Sequence, residues 1–515
     1  CEHDVVHLVG QGRQPVNILI ASSEVVPFAK TGGLADVCGA LPIELERLGH
    51  RPFVFMPGFR SVYTAGQPVE PLGVEFNIPI GSKISKGSLA KSVLPGSEVE
   101  VFIVQQPEYF ERAELYREAG EDYPDNCERF VFFCRAVMES IRFLDLKVDV
   151  LHGNDWQAGL LAAYLALEYR RIPGFEKIAS LLTIHNLAYQ GNFSHWDMAL
   201  TGLDWKHFNW QQMEFYGRLN LLKTGLVFAD ALNTVSPSYA TEIQSSDLGC
   251  GLEGVLRHRA KDLSGIINGV DYDIWNPESD SRIAKNYDVT SWKEGKSECK
   301  KSLQKAMNLP ESDGPLVGLV GRLASQKGWH LIIEVMKTLV SRFDMQWTIL
   351  GTGEPEYHRA LKELAEAFPD KVGIELGFSD DLAHQIEAGS DIFLMPSQYE
   401  PCGLNQLYSL KYGTVPVVHA TGGLADTIIN LDQESQLQKT ATGFSFYEYH
   451  ADALLAALRR ATDVYSHNPD LWQQIVTNGM QQDWSWSQSA RAYISLYERL
   501  IDRKASASVD QCSNE

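Results

Sequence analysis

The sequence predicts an α/β protein built from two doubly wound domains in tandem, and three observations carry that expectation. Short apolar runs alternate with amphipathic helical stretches from residue 16 to 267 and again from 316 to 465, the pattern of a mostly parallel sheet covered on both faces by helices. Between the two series the chain changes character over 271–315, with Trp275-Asn276-Pro277, mixed charges and a basic helical stretch at 293–307, so a boundary is placed near 275–285. Finally, Thr31-Gly32-Gly33-Leu34-Ala35-Asp36 recurs as Thr421-Gly422-Gly423-Leu424-Ala425-Asp426, each copy lying between a strand and a helix. The expected layout is a disordered start at 1–15, a first domain at 16–280, a second at 281–486, a final helix at 487–503 and a Ser-rich, disordered tail at 504–515.

Each element follows from its own residues. The run at 16–21 is apolar throughout and reads as a strand; Leu34, Val37, Leu41, Leu45 and Leu48 then recur at helical spacing up to Gly49, so strand, Gly-rich turn and helix open the chain. That turn lacks the spaced glycines of a dinucleotide fingerprint, but Gly32 and Gly33 let backbone come close to a phosphate or sugar. A strand at 52–56, several short strands over 73–106 and a helix at 123–144 follow. Strand 148–152 stops at Gly153-Asn154-Asp155 before a helix at 157–170, and strand 178–184 stops at His185-Asn186. A helix at 219–228, a strand at 231–235, a helix at 239–244 and a strand at 265–267, closed by Asn268-Gly269, complete the first series. In the second, strands at 316–320, 347–351, 372–376, 391–396, 415–420 and 443–446 alternate with helices at 328–343, 355–368, 381–388, 402–412, 421–430 and 451–465. A last helix shows an apolar face of Ala490, Tyr493, Leu496, Tyr497 and Leu500.

Composition bounds the function. The chain of 515 residues carries 45 Lys plus Arg against 66 Asp plus Glu, a net charge of -21, which excludes a general binder of nucleic acid or of anionic membranes. No apolar run reaches the roughly 18 residues of a membrane span, and the first residues lack the basic start and apolar core of a secretion signal. The eight Cys are scattered, with no C-x-x-C pair, and read as reduced thiols of a cytoplasmic protein. No His/Asp cluster suggests a metal, no cofactor is expected, and nothing in the composition specifies an oligomeric state. Trp196, Trp205, Trp210, Trp484 and Trp486 are read as core positions, with a sugar-stacking platform as the alternative.

The stretch 391–406 concentrates the chemistry. An apolar strand closed by Pro396-Ser397 runs into Gln398-Tyr399-Glu400-Pro401-Cys402-Gly403-Leu404-Asn405; the helix expected to open at Cys402-Gly403-Leu404 offers free N–H groups and a positive dipole end, which attract phosphate. Glu400 therefore sits beside an expected anion site. Earlier, the strand at 316–320 ends in Gly321-Arg322-Leu323-Ala324-Ser325-Gln326-Lys327-Gly328. Two cations in a Gly-bracketed turn at the carboxyl end of a parallel sheet suit a diphosphate leaving group. Two domains of this class would face each other across a cleft lined by their strand ends.

Together with these, Lys30-Thr31-Gly32-Gly33-Leu34, His152-Gly153-Asn154-Asp155-Trp156, Thr183-Ile184-His185-Asn186, Asn268-Gly269-Val270-Asp271 and Glu400-Pro401-Cys402-Gly403-Leu404 give a chain that resembles the glycogen/starch synthase family of bacterial and plastid type from about Val16 to Tyr497. The resemblance implies a GT-B fold, two Rossmann-like domains with the last helix returning to the first. It implies transfer of glucose from ADP-glucose to the non-reducing 4-OH of an α-1,4-glucan with retention of configuration. Glu400, Arg322, Lys327 and His185 would then be catalytic. Lys30, Gly32, Gly33 and Asp36 would form the donor-side turn; Asp155, His185 and Asn268 would meet glucose or acceptor; Gln326, Cys402, Gly403, Leu404, Asn405, Thr421, Gly422 and Gly423 would hold the donor. Phe378 stands where related chains place an aromatic, often Tyr, against adenine. Retention through the leaving phosphate and a two-carboxylate route using Asp155 both stay open. So do a related retaining transferase with a small acceptor and a catalytically silent glucan- or nucleotide-binding protein.

Overall fold

The protein is described by a computed structural model over residues 14–512. The expected disordered start lies almost entirely outside the described residues. Contact density divides the chain into two compact units, one reaching Asn233 and resuming at Ala490, the other spanning Thr234–Ser489.

The first unit is organised by a sheet whose strands run Ala231–Thr234, Ala179–Ile184, Val150–Asn154, Asn17–Ala21, Arg51–Pro57, Glu100–Gln105, Lys83–Val93 and Glu70–Ile80 in space. Asn17–Ala21 pairs in parallel with Arg51–Pro57 on one side and Val150–Asn154 on the other, so the chain turns away from this strand in both directions. That junction, the topological switch point, is where such sheets open a crevice at their carboxyl ends. At the far edge, Glu70–Ile80 and Lys83–Val93 form a long antiparallel hairpin, where the sequence suggested several short strands. Phe76, Ile78 and Ile80 alternate with exposed residues along it, the period of a half-buried strand.

The expected helix at 157–170 is broken into a 3-10 turn Trp156–Ala158, a helix Leu160–Leu167 and a second turn Tyr169–Arg171. The cause is a close crossing. A Cβ at Gly159 would lie 2.2 Å from the Leu221 carbonyl oxygen, and one at Gly225 would lie 3.0 Å from the Gly159 Cα. Helix Leu221–Phe228 therefore sits backbone to backbone on this segment.

The last helix, Trp486–Cys512, runs through the stretch read as a tail. Lys504 Nζ reaches Asp230 Oδ1 at 2.5 Å, Arg503 donates to the Asp230 carbonyl, and the Ser506 hydroxyl bonds back to the Asp502 carbonyl. Serine content suggested a loose end; pairing to Asp230 and local back-bonding keep the helix going. Its Ala490, Tyr493, Leu496, Tyr497 and Leu500 are buried, as the helical spacing predicts. Tyr497 Oη lies 2.9 Å from His152 Nδ1, whose other ring nitrogen lies 2.7 Å from Thr183 Oγ1. Both nitrogens of a buried imidazole are thereby satisfied.

The second unit holds a six-stranded parallel sheet. Its strands in chain order are Leu316–Val320, Gln346–Leu350, Val372–Glu375, Ile392–Met395, Val415–His419 and Phe444–Phe446, and in space they run third, second, first, fourth, fifth, sixth. This is the doubly wound order with its switch point between Leu316–Val320 and Ile392–Met395. Residues 234–268, which the sequence assigned to the first domain, fall in this unit by contact density, although their strand Leu263–Gly265 is an edge strand of the nine-stranded sheet of the first unit. Ser236 Oγ donates to the Pro401 carbonyl at 2.6 Å and Ser238 Oγ to Asp426 Oδ1 at 2.7 Å. Strand and helix alternation reports local structure, not which distant loops a segment bonds. A helix not predicted from sequence, Pro469–Gln481, buries Trp472, Ile475, Val476 and Met480; Asn468 caps it and Pro469 stands in its first turn, where proline is tolerated. Among the described residues no helix is long and apolar enough to cross a membrane.

Asp155 is one of several non-glycine residues of the first unit held at positive φ. It ends strand Val150–Asn154 at φ +54°, uncommon for a residue with a Cβ, and accepts the His185 amide at 2.7 Å. Burial pushes its carboxyl up from 3.8 to about 7. The folded carboxyl thus keeps its proton to higher pH than the unfolded one. Its contribution to stability is complete below pH 3.8 and is lost as pH rises through about 7. Asp155→Asn is expected to become progressively more stable relative to the parent as pH rises from 3.8 to about 7, on the order of 1 kcal/mol per pH unit across that window and level above it. Denaturant titrations across pH test this, and parallel pH profiles would contradict it. Tyr497→Phe leaves a buried imidazole nitrogen unpaired and is expected to lower unfolding free energy by about 1–3 kcal/mol; an unchanged denaturation midpoint would show that the bond carries no net stability.

Candidate active site

The second unit brings Lys327 and Glu400 together through contacts between the loops that follow its first and fourth strands. After Val320 the chain passes Gly321 and Arg322, makes the 3-10 turn Ser325–Lys327 and leaves through Gly328 at φ +77°. A Cβ on Gly328 would fall 2.1 Å from the Pro396 carbonyl oxygen, so glycine is required for the approach as well as for the angle. The Gln398 amide donates to the Gln326 carbonyl at 2.8 Å, and Gln326 Nε2 donates to the Tyr399 carbonyl at 3.2 Å. With the loops pinned in this way, Lys327 Nζ stands 2.5 Å from Glu400 Oε2, and Ser397 Oγ donates to the same oxygen at 2.9 Å. Glu400 is buried while Lys327 is partly open.

Arg322 is exposed, and among the described residues its guanidinium has no hydrogen-bond or ion-pair partner; its carbonyl accepts Trp329 Nε1 at 2.9 Å. The helix after Glu400 is Asn405–Tyr412, starting later than the expected 402 because Gly403 takes φ +74°. Asn405 Nδ2 donates to the Val320 carbonyl at 2.8 Å, which ties the helix start to the strand that carries Arg322. The amides of Leu404 and Asn405 open this helix with their N–H groups outside its bonding ladder. Cys402 is buried, its thiol pushed up to about 12 by desolvation, and it receives the Asn268 amide. Asn268 is also buried, and its side-chain Oδ1 has no partner. A buried acceptor or amide group of that kind is costly unless something pairs with it.

The turn Thr421-Gly422-Gly423, expected from sequence to hold phosphate, packs directly under the Glu400 loop. A Cβ on Gly422 would sit 2.0 Å from the Glu400 carbonyl oxygen and one on Gly423 2.0 Å from the Cys402 carbonyl oxygen. The Gly423 amide donates to the Glu400 carbonyl at 3.1 Å. The Gly422 amide donates to Glu242 Oε1 at 2.8 Å, and Thr421 Oγ1 lies 3.2 Å from both Glu242 oxygens. Its amides are engaged by protein acceptors, so the turn acts as a cradle under the backbone of Glu400 and Cys402.

The first unit repeats the device. The Thr31 amide donates to Glu24 Oε2 at 2.5 Å, the Gly32 amide to the same oxygen at 3.1 Å, and Thr31 Oγ1 to Oε1 at 2.6 Å; Tyr116 Oη donates to Glu24 Oε1 at 2.8 Å. Glu24 and Glu242 were missed in the sequence, where each is one acid among many. The only signal was Glu24 in the otherwise uncharged Ser22–Phe28 segment directly after a buried strand. Lys30 projects from this turn, largely exposed, with Nζ 2.7 Å from Asp36 Oδ1 on the following helix. Across the switch point, Asp155 holds the His185 backbone, and His185 Nε2 lies 2.9 Å from Asn154 Oδ1. Desolvation lowers the His185 imidazole well below its ordinary value, so the ring is neutral near pH 7 and serves as a hydrogen-bonding group.

Gly33 opens the helix behind Lys30. Phe378 follows the edge strand Val372–Glu375, one strand removed from Leu316–Val320, and is 91% exposed. An open aromatic face of this kind on a sheet's carboxyl edge suits stacking on a flat base. Among the described residues no group of three or more His, Cys, Asp or Glu is arranged to hold a metal ion.

Comparison with known proteins places this geometry. The starch synthase catalytic domain family matches residues 17–258, and glycosyl transferases group 1 matches 300–479. The glycogen synthase of Rhodopirellula baltica is 47% identical over 497 residues, covering 94% of this chain and 98% of the relative. That of Thermotoga maritima is 43% identical over 491 residues, covering 94% and 99%. Among solved structures, the catalytic domain of starch synthase IV from Arabidopsis thaliana, bound to ADP and acarbose, is 30% identical with a TM-score of 0.85, covering 95% of this chain and all of that one. With two doubly wound units, a basic turn and a buried Glu at the second switch point, and relatives matched along nearly their whole length, the chain belongs to the glycogen/starch synthase family of GT-B glycosyltransferases.

Proposed function

We propose that the chain transfers the glucosyl group of ADP-glucose to the 4-hydroxyl at the non-reducing end of an α-1,4-glucan, glycogen or starch, with retention at the anomeric carbon. One observation carries the reading: the Lys327–Glu400 pair stands at the switch point of the second unit, beside an unpartnered Arg322 and the N-terminus of helix Asn405–Tyr412. The ADP and acarbose in the Arabidopsis relative support a nucleotide and a saccharide as ligands. With a nucleotide sugar as donor, a cytoplasmic location is the consistent one.

As the bond from C1 to the phosphate oxygen breaks, negative charge gathers on the departing diphosphate. Arg322, Lys327 and the Leu404 and Asn405 amides supply fixed positive potential for it, which preorganised donors do at little reorganisation cost. In the first unit, Lys30 is itself suited to a phosphate that would displace Asp36. The acceptor 4-hydroxyl attacks C1 from the face the phosphate leaves; the C1–O4 bond forms and the hydroxyl proton passes to the departing phosphate oxygen. Glu400 stabilises the positive charge on the sugar, and neutral His185 and the unpaired Asn268 Oδ1 are suited to sugar hydroxyls. Phe378 stacks on adenine and contributes no hydroxyl. Asp155 is a weak candidate for a covalent nucleophile, since burial holds its proton up to about 7 and its carboxylate is spent on the His185 amide. That favours the route through the leaving phosphate.

Initial rates with ADP-glucose and UDP-glucose on glycogen test the assignment, with ADP-glucose expected to be the better donor. Glu400→Gln is expected to lower kcat by about 100- to 1000-fold with donor affinity nearly intact. Near-normal turnover in that variant would overturn the role given to Glu400.

A further inference from the structure

We propose that residues 268–287 of the second unit form a splint along helix Asn405–Tyr412, and that Trp275 and Asp280 within it are positioning residues of the donor site, setting where the Leu404 and Asn405 amides meet a nucleotide diphosphate. The proposal rests on the donor reading above. In the sequence, Trp275-Asn276-Pro277 marks only a change of character between the two series. In the structure, the stretch around it follows one helix from end to end. The Asn268 amide reaches the Cys402 sulfur just ahead of the helix. Trp275 stacks on Tyr408, with ring centres 3.9 Å apart and planes 2° from parallel, and on His384 at 3.7 Å and 8°; two rings that close and that parallel must take opposite faces of the indole. Lys411 Nζ stands over the Tyr272 ring at 4.8 Å from its centre.

Asp280 closes the far end. Its side chain is wholly buried; one oxygen accepts His384 Nδ1 at 2.7 Å and the Tyr412 hydroxyl at 2.6 Å, and the other accepts the Arg282 amide at 2.9 Å. Tyr287 donates to the Tyr412 carbonyl at 2.8 Å. His384 Nε2 is buried without a partner, so the place of the imidazole rests on Asp280 and on the face of Trp275. The helix needs such support: it is eight residues long, and no side chain caps its start, and so short a helix has little stability of its own. Asn405 ties its start to Val320; the stacked planes resist its rolling about its own axis, and Asp280 fixes its last residue. Hydrogen bonds weaken steeply as their angle opens, so a small roll of the helix would turn both free amides off a phosphate oxygen. The splint also begins at Asn268, whose unpaired Oδ1 is part of the candidate site, so one segment sets both groups.

Calorimetric titration of ADP and of AMP into the parent, Trp275→Leu, Tyr408→Leu and Asp280→Asn tests the proposal. Tyr408 is half-buried, so its variant serves if Trp275→Leu does not fold. ADP affinity is expected to fall by about fivefold or more in each, with AMP affinity within about twofold of the parent. KM for ADP-glucose rises to match, while KM for glycogen stays within about twofold. Trp275→Phe keeps an aromatic face between His384 and Tyr408 and is expected to recover most of the ADP affinity. Leu458→Ala, a core change on helix Ala451–His467 of the same unit, lowers stability without touching the splint and is expected to leave ADP affinity within about twofold. Equal weakening of ADP and AMP, unchanged ADP affinity in Trp275→Leu and Tyr408→Leu, or as large a loss in Leu458→Ala would each overturn the proposal. If the variants lost ADP affinity but the parent transferred no glucose from ADP-glucose, the splint would stand and the transferase reading would fail; a transferring parent whose variants kept full ADP affinity gives the reverse.

Discussion

The site depends on a steric constraint: three glycines let one loop rest directly on the backbone of its neighbours. Gly328 lies against the Pro396 carbonyl, and Gly422 and Gly423 lie against the carbonyls of Glu400 and Cys402, with added Cβ atoms falling at 2.0–2.1 Å. No side chain fits at those distances. Because these contacts are between backbones, they fix the main chain of Glu400, and Lys327 Nζ and Ser397 Oγ then hold its carboxylate. A carboxylate and an ammonium held in this way are ready for a charge that appears during the reaction.

The internal repeat has an equally physical meaning. In each unit a Thr-Gly-Gly turn closes on a carboxylate, Glu24 in the first and Glu242 in the second. The Thr31 and Gly32 amides of one turn and the Gly422 and Gly423 amides of the other are taken by protein acceptors, which stiffens both turns. In the first unit the stiffened turn presents Lys30; in the second it supports Glu400 and Cys402. One helix earlier, the amides of Leu404 and Asn405 stand outside the bonding ladder at the start of helix Asn405–Tyr412.

Much of this was legible in the sequence, and the reasons for the exceptions are specific. Buried parallel strands such as Leu316–Val320 announce themselves as short apolar runs, and the polar residues that end them fall at carboxyl ends by construction. Arg322, Lys327, Glu400, Asp155 and His185 all follow such strands, as the sequence placed them. Partners distant in sequence were not legible: Glu242 meets Gly422 across 180 positions, and nothing in the residues around either reports the other. The break at Gly159 depends on the crossing with Gly225, and the helical end of the chain depends on Asp230. Trp196, Trp205 and Trp210, read as core positions, are exposed, because how often a residue type is buried does not fix any one position.

The central claim is that Arg322 and Lys327 hold the second phosphate of the nucleotide. Calorimetric titration of ADP and of AMP into the protein and into Arg322→Ala tests it directly. The account requires ADP affinity to fall by about tenfold or more in the variant, the scale of a lost charge-assisted contact, while AMP affinity stays nearly unchanged. Equal weakening of both nucleotides, or no weakening of ADP, would contradict it.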